Sequence, residues 1–441
     1  MTNANEGLKR SLGPLMLWGL GVGYVISGMY FGWNLGLPEG GTGGLAVATI
    51  LVSIMYLCFT FSYTELACAI PKAGGAFDYA RRALGPAFGF LGGMAQNIEF
   101  IFAPPAIAFA IGAYLGPFLP GVPEIYIAIA AYFIFTGLNI YGVEAAASFE
   151  LLITVIAIIG LLIFAGISLP EFDGSAFSAN AWPNGMSGIF AAFPFAVWFY
   201  LAIEGVANVA EETIDPQRNV LIGFGSAIVT LVLLCALTFL ASVGPNGWET
   251  AVFPTGSTEA SDAPLPLVTS YVLGADHSLV AVVGIIGLFG LIASFHGIIL
   301  AAGRASYEFG KAGFAPRILG KVLDRRRTPA NALIFNMLIG IVALLTGKTG
   351  DIITIACMGA LSMYLISLIS LFVLRSREPE MERPFKVPLF PVLPGIAFAI
   401  AAVALVAIVY FNPMLAAIYG GIMLVSWGLY RLLIHRNLPQ D

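Results

Sequence analysis

The sequence predicts an all-α integral membrane protein of about twelve transmembrane helices, and two observations carry this prediction. Of the 441 residues, 59% are hydrophobic and only 10% are charged, with a mean hydropathy of +0.91. A soluble domain carries about 25% charged residues to cover its water-facing surface. The hydrophobic residues also fall into runs of roughly twenty, the length at which a helix crosses a bilayer. The runs lack the alternation of residues that is typical of membrane β-barrel strands.

The predicted spans follow from these runs in chain order. They cover 12–37, 45–70, 86–116, 124–140, 146–169, 187–210, 220–243, 279–303, 331–346, 351–374, 391–411 and 413–434. The first eleven residues are polar and lead into the first run without a small-residue cleavage pattern, so we expect no removable signal peptide.

The basic residues predict the orientation, because Lys and Arg accumulate in cytoplasmic loops. With the N-terminus inside, every Lys and Arg except Lys348 falls on the cytoplasmic side, including the run Arg325–Arg327. The outer loop 244–278 has no basic residue. We therefore expect a multi-pass protein of the cell (inner) membrane, with both termini cytoplasmic and membrane lipid as a partner.

Charge and cysteine usage exclude several other classes of protein. The net charge of −5 gives no basic footprint for nucleic acid. The four cysteines all lie in apolar runs, which is typical of buried side chains and not of a disulfide or metal framework. No His/Cys metal spacing, nucleophile–base pair or phosphate loop is present in the sequence, so we predict no metal, no cofactor and no enzyme activity.

Five ionisable side chains lie within the spans, namely Glu65, Glu99, Glu150, Glu204 and His296. Such groups are costly in hydrocarbon and usually face a cavity or a partner. Because no Lys or Arg lies deep in a span, the partner of a buried carboxylate is a proton, a metal cation or a cationic substrate. We expect Glu65 and Glu150 to be solvated interfacial carboxyls, with an ion pair of Glu65 at an inner gate as the alternative.

The first and sixth spans are interrupted by helix-breaking residues. The first contains several glycines and then Ile26–Gly32, and the sixth contains Pro194 followed by Trp198–Gly205. Glycine tolerates non-helical backbone, and proline removes a helical donor. Broken helices at corresponding positions of two repeats indicate the central site of a transporter. The alternative is that membrane helices simply tolerate these residues.

Four segments resemble signatures of the amino acid–polyamine–organocation family of transporters. They are Tyr63–Gly85, Glu211–Asn219, Arg304–Pro316 and Glu378–Pro388. Val25–Asn34 and Phe102–Ala106 resemble more narrowly the ethanolamine permeases of that family.

The resemblance implies one membrane domain with the leucine-transporter-type fold. Its two inverted five-helix repeats would cover 12–169 and 187–374, followed by two further helices in 391–434. It also implies secondary transport of a small amine, most of all ethanolamine, by alternating access. Ile26 stands where amino acid carriers of the family have a glycine, which fits a substrate without a carboxylate. Residues 146–169 lack the lysine of many proton-coupled relatives, so proton or sodium coupling stays open.

Chemistry and resemblance together give a predicted site between the two breaks. An ammonium group needs carboxylates, carbonyls or aromatic faces to offset its lost water. We place it near Trp198–Tyr200 with Glu204 or Glu99, and the substrate hydroxyl near the backbone of Ser27–Met29. The predicted substrate-binding residues are Ile26, Ser27, Gly28, Met29, Tyr30, Gln96, Glu99, Trp198, Phe199, Tyr200, Ala202, Glu204 and Phe295.

The predicted coupling or gating residues are Glu204, Glu99 and His296, and each has a structural alternative. Either carboxyl could instead bridge helices, and His296 could be a neutral ring bonded to a helix carbonyl. Ser294 could help to hold sodium. Rival functions are an amino acid permease for neutral or cationic substrates and a channel, which needs a continuous polar path. The oligomeric state is open.

Overall fold

The computed structural model describes residues 12–141, 146–323, 326 and 328–434, and this part of the chain is a bundle of helices without strands. Its seventeen α-helices are α1 (Pro14–Val25), α2 (Ser27–Tyr30), α3 (Leu37–Ala69), α4 (Ala76–Leu84), α5 (Pro86–Leu115), α6 (Glu124–Tyr141), α7 (Ala146–Ser168), α8 (Gly174–Ser178), α9 (Ser187–Ala191), α10 (Phe193–Trp198), α11 (Pro216–Val243), α12 (Pro264–Leu273), α13 (Ser278–Lys311), α14 (Ala330–Leu344), α15 (Thr349–Arg377), α16 (Val392–Phe411) and α17 (Pro413–Leu429). Both predicted cytoplasmic termini, with Arg325 and Arg327 of the basic run, lie outside the described residues.

The predicted fold class is confirmed. Nine helices in the described part of the chain are long and apolar enough to cross a membrane. The other three predicted spans are also helical: α1 with α2, the broken segment from α9 onward, and the short α14. The arrangement is consistent with the leucine-transporter-type fold.

The second span begins earlier than the sequence predicts, with extra turns from Leu37 instead of residue 45, and it is kinked at Gly41, whose φ of 62° is not helical. The extra turns are rich in glycine and carry little hydrophobicity of their own. They form because bare backbone allows close packing: a Cβ on Gly188 of α9 would lie 2.4 Å from the carbonyl oxygen of Glu39. Three short helices, α4, α8 and α12, lie outside the predicted spans, because none of them is a long apolar run.

Both predicted helix breaks are present. In the first span, Phe31 is extended and Gly32 has a φ of 85°, after which a 3₁₀ helix covers Trp33–Gly36. In the sixth span, α10 ends at Trp198, Ala202 adopts the left-handed conformation with φ 74°, and a 3₁₀ helix covers Ile203–Glu212. The breaks touch, since a Cβ on Gly28 would lie 2.6 Å from the carbonyl oxygen of Trp198.

One end of the bundle carries three ion-paired arginines, Arg304, Arg375 and Arg383, and we call it the basic end. There the N–H of Leu12 donates to the carbonyl of Glu212 at 3.1 Å, and the N–H of Ile214 donates to the carbonyl of Leu12 at 3.0 Å. Nη2 of Arg304 lies 2.7 Å from Oε1 of Glu212. These contacts tie the start of α1 to the end of the second break's 3₁₀ helix and to α13.

Candidate functional site

A pair of buried carboxyl groups lies between α5 and the second break. Glu99 comes from the middle of α5 and Glu204 from the 3₁₀ helix that follows Ala202, and both side chains are fully buried. They lie close enough to interact directly. Oε1 of Glu99 accepts a hydrogen bond from the N–H of Ala202 at 3.2 Å, and Oε2 of Glu204 accepts one from the hydroxyl of Tyr364 at 2.9 Å. The structure therefore brings together the two carboxylates that the sequence singles out.

The remaining oxygens of this pair, Oε2 of Glu99 and Oε1 of Glu204, are buried without a hydrogen bond to a third group. Among the described residues, neither carboxylate forms an ion pair with Lys, Arg or His. Two adjacent buried carboxylates cannot both stay charged without a cation, because each raises the cost of ionising the other. The pair must hold a proton or a positively charged ligand.

Aromatic side chains from α3 and α15 form a wall beside the carboxyl pair. The hydroxyls of Tyr56 and Tyr364 are 3.0 Å apart, and the Phe59 ring lies 4.2 Å from that of Tyr364. Tyr364 thus links this wall to Glu204. Sequence analysis missed both tyrosines, because no spacing or motif connects positions 56, 204 and 364.

A polar track runs from the carboxyl pair toward the basic end. Gln96, one turn before Glu99, donates from Nε2 to Oδ1 of Asn208 at 3.4 Å. The other amide atoms of both side chains, like the hydroxyl of Tyr63, are buried without partners. Gly75, with φ 55°, closes the track, since a Cβ there would lie 2.6 Å from Asn208 Oδ1. The predicted residue Gln96 therefore lies on this track.

At the first break, four backbone donors are already engaged. The N–H of Ser27 donates to Oγ of Ser294 at 2.9 Å, and the N–H groups of Ile26, Met29 and Phe31 donate to backbone carbonyls. The Ser294 hydroxyl in turn donates to the carbonyl of Gly23 at 2.7 Å. These four N–H groups are thus not free to hold a substrate carboxylate.

Trp198 and Phe199 close the site from the side opposite the basic end. Nε1 of Trp198 donates to the carbonyl of Phe31 at 3.0 Å, and a Cβ on Gly32 would lie 2.4 Å from that nitrogen. The Phe199 ring stacks on Trp33, with centroids 5.6 Å apart. Both rings pack on the far half of the first break, so the two breaks are joined by aromatic contacts.

Three predicted site residues make their contacts elsewhere. The hydroxyl of Tyr30 donates to the carbonyl of Ala157 in α7 at 2.6 Å. The ring of Phe295 packs edge-on against Tyr132 of α6, with centroids 5.0 Å apart. The hydroxyl of Tyr200 lies 2.6 Å from a serine hydroxyl of α3. Of these three, only Tyr200 borders the aromatic wall, through its ring contact with Tyr56 at 5.1 Å.

The expectation that Glu65 is a solvated interfacial carboxyl is wrong. Its side chain is 1% exposed and lies 2.7 Å from Nε of Arg375 and 3.3 Å from Nε of Arg383. The N–H of Val387 also donates to Oε2 of Glu65 at 2.7 Å. The ion pair of the alternative is present, with partners from α15 and the following loop, while its role as an inner gate stays a prediction.

The expectation that Glu150 is interfacial is also wrong, because its side chain is 1% exposed. Oε2 of Glu150 lies 3.2 Å from Nδ1 of His296. His296 is therefore bonded to a carboxyl group of α7, which neither of the sequence-based alternatives for this ring included.

The amino-acid sequence is similar to a known family of proteins. The family model described as amino acid permease matches residues 12–430. An uncharacterized transporter of Rhizobium meliloti (strain 1021) is 27% identical over 405 residues, which are 89% of this chain and 85% of that protein. The branched-chain amino acid permease of Bacillus subtilis (strain 168) is 24% identical over 90% of this chain and 87% of its own length.

Relatives with other named substrates match over most of the chain as well. The low-affinity putrescine importer of Escherichia coli (strain K12) is 24% identical over 78% of this chain and 77% of its own length. The family is one of permeases and not of enzymes, and the similar proteins include a branched-chain amino acid permease, a putrescine importer and a methylthioribose transporter of Bacillus subtilis (strain 168). With the family model covering nearly all of the described helices, the chain belongs to the amino acid permease family and is a multi-pass membrane transporter.

Proposed function

We propose that this protein is a secondary active transporter that moves a small primary amine, ethanolamine above all, across the cell membrane by alternating access. The observation that carries the proposal is the buried pair of Glu99 and Glu204, which has no cation from the described residues. An ammonium group supplies the positive charge that this pair requires.

The surroundings of the pair suit a desolvated ammonium ion. Two hydrogen bonds to charged carboxylates contribute about 1.5–3 kcal/mol each. The aromatic wall of Tyr56 and Tyr364 offers a further cation–π contact, which contributes about 2 kcal/mol when water is excluded. Together these interactions offset the loss of hydration. We also propose that the rings of Trp198 and Phe199 bind or cover the substrate once the two helix breaks move apart.

The same site disfavours a carboxylate on the substrate. The N–H groups of Ile26, Ser27, Met29 and Phe31 are already donating, and the nearby acidic pair repels a second anion. A substrate with an ammonium and a hydroxyl avoids both costs. The hydroxyl is placed near the backbone of Ser27–Met29, where the first break leaves polar backbone close to the second.

An amino acid permease is the second candidate, and the match to the branched-chain amino acid permease favours it. In that case the carboxyl pair holds a proton while the first break rearranges to accept the substrate carboxylate. In both cases we place the basic end in the cytoplasm and the protein in the cell (inner) membrane, because loop arginines mark the cytoplasmic side.

Ligand-dependent thermal unfolding of the purified protein separates the two candidates. A ligand at about 100 times its Kd stabilises the folded state by about 2.7 kcal/mol. We expect ethanolamine to raise the melting temperature, and a neutral amino acid, a dibasic amino acid and choline to leave it unchanged. The control is the double variant Glu99→Gln/Glu204→Gln, which should lose the ethanolamine response.

Uptake by proteoliposomes then tests transport itself. Labelled ethanolamine should accumulate inside vesicles that contain the wild-type protein and not inside those with the double variant. A response to amino acids alone would refute the amine proposal and favour the permease candidate.

A further inference from the structure

A buried carboxyl group with a histidine partner lies outside the carboxyl pair, on the other side of the first span. Glu150 of α7 and His296 of α13 face each other with 3.2 Å between Oε2 and Nδ1, and their side chains are 1% and 7% exposed. The rings of Phe135 and Phe149 flank the imidazole, each with its centroid 6.2 Å away. The pair is thus shielded from water by aromatic side chains.

The free oxygen of this pair points at the first span. Oε1 of Glu150 is buried without a hydrogen-bond partner. A Cβ on Gly23 of α1 would lie 2.6 Å from it, and a Cβ on Gly297 of α13 would lie 3.3 Å from it. The glycine in α1 therefore lets this helix rest directly on the carboxyl group. A movement of α1 away from α7 would therefore uncover Oε1 of Glu150.

Among the described residues, the ionisable groups near the pair are Tyr24, Arg304 and Glu212. Tyr24 of α1 lies between Gly205 and Gly297, and its hydroxyl is buried without a partner. Further along α13, Arg304 is paired with Glu212 of the 3₁₀ helix after the second break. From α6, the nearest groups are the uncharged Phe135 and Asn139, whose Nδ2 donates to the carbonyl of His296 at 3.4 Å.

We propose that Glu150 and His296 together bind the proton that drives transport, at a site separate from the substrate carboxyl pair. This inference rests on the proposed secondary transport, although not on the identity of the substrate. One proton can be shared between Oε2 of Glu150 and Nδ1 of His296, because the two atoms lie within hydrogen-bond distance.

The release step follows from how α1 is held. Leu12, two residues before α1, is bonded to the segment after the second break, beside the pair formed by Arg304 and Glu212. When these contacts part, the inner half of α1 leaves Glu150, and water reaches the pair past the hydroxyl of Tyr24. The proton then passes to water at the basic end.

The loading step uses the opposite route. The proton enters from water on the far side of the membrane and reaches the pair past Ser294, whose hydroxyl bonds the carbonyl of Gly23 and the N–H of Ser27. One proton enters and one leaves in each cycle.

Proton flux in proteoliposomes tests this assignment. A pH gradient of one unit supports up to about tenfold accumulation when one proton is coupled to each substrate molecule. We expect the wild-type protein to acidify the vesicle interior during uptake. Glu150→Gln and His296→Gln should abolish both the acidification and the accumulation, while exchange of labelled for unlabelled substrate stays within about twofold of wild type, because the substrate pair is intact.

The matched control is Glu378→Gln, which removes a carboxylate that is ion-paired at the surface with Arg82 and should leave proton flux unchanged. Substrate-induced thermal stabilisation shows that each variant is folded. If only one of Glu150→Gln and His296→Gln folds, that variant alone tests the proton site. Undiminished proton flux in the variants, or accumulation driven by sodium and not by pH, would overturn the proposal. The measurement uses whichever substrate the wild-type protein carries, so a failure of the ethanolamine proposal is seen separately.

Discussion

Replacement of the carboxyl pair by amides is the sharpest perturbation that the site allows. Glu99→Gln keeps an oxygen that accepts the N–H of Ala202, and Glu204→Gln keeps one that accepts the hydroxyl of Tyr364. Each substitution preserves the shape of the side chain and removes only its negative charge. Any loss of amine binding is then electrostatic and not a consequence of a cavity or of an unpaired backbone donor.

The magnitude follows from the contacts that an ammonium would make. A hydrogen bond to a charged group contributes about 1.5–3 kcal/mol and a neutral one about 0.5–1.5 kcal/mol, so each amide should cost about 1–2 kcal/mol. That corresponds to a Kd for ethanolamine that is weaker by about 5- to 30-fold. The double variant should lose more than the sum of the two single losses, because either remaining carboxylate can still serve the ammonium on its own.

Isothermal titration calorimetry with ethanolamine and with ethylene glycol is the assay. Ethanolamine should bind the single and double variants more weakly than the wild-type protein by the factors given above, whereas ethylene glycol should bind all of them alike. Equal losses of affinity for ethanolamine and for an uncharged analogue such as ethylene glycol would show that the pair is structural and would refute the reasoning.

Three further outcomes are expected. Glu65→Gln leaves the buried guanidinium of Arg383 without its carboxylate, which should cost about 3–5 kcal/mol of stability, whereas the exposed Glu378→Gln costs at most about 1 kcal/mol; equal melting temperatures would contradict this. Burial raises the pKa of Asp262, in the loop before α12, to about 6. The stabilising effect of its protonated form should be lost as the pH rises from about 4 to about 6, so thermal unfolding across that range should show a decline in wild type that Asp262→Asn lacks. Trp198→Phe removes the bond to the Phe31 carbonyl but keeps an aromatic face, so it should speed substrate release with little change in affinity. Trp198→Ala should speed substrate release and also raise the Kd. If the two variants have the same release rate and the same Kd, the ring does not bind substrate.

The sequence predicts those parts of this protein that depend on local composition. The breaks at Gly32 and Ala202 follow glycine-rich and proline-containing stretches, and Glu99 and Glu204 stand out because a carboxylate deep in an apolar run is costly. The aromatic wall is different, because Tyr56 and Tyr364 are ordinary residues of apolar helices. Their role exists only once α3, α15 and the second break meet.

Burial of the other two carboxylates was mispredicted for a physical reason. Position along a span indicates depth in the membrane but not whether neighbouring helices cover a side chain. Glu65 lies near a helix end, yet the loop after α15 folds back and brings Arg383 and Val387 onto it. Glu150 also lies near a helix end, yet α13 places His296 against it from 146 residues away.

The closure of the two ends favours a carrier over a channel. At the basic end, the first span is held by Leu12, which is bonded to the segment after the second break. At the other end it is held by Asn34, whose Nδ2 donates to the carbonyl of Ser261 at 2.9 Å, in the loop that Asp262 ties to Thr349. The break at Gly32 separates these two anchors, so one half of the span can be released while the other stays closed. A channel would require both anchors to open together, whereas the break makes their release independent, as alternating access requires.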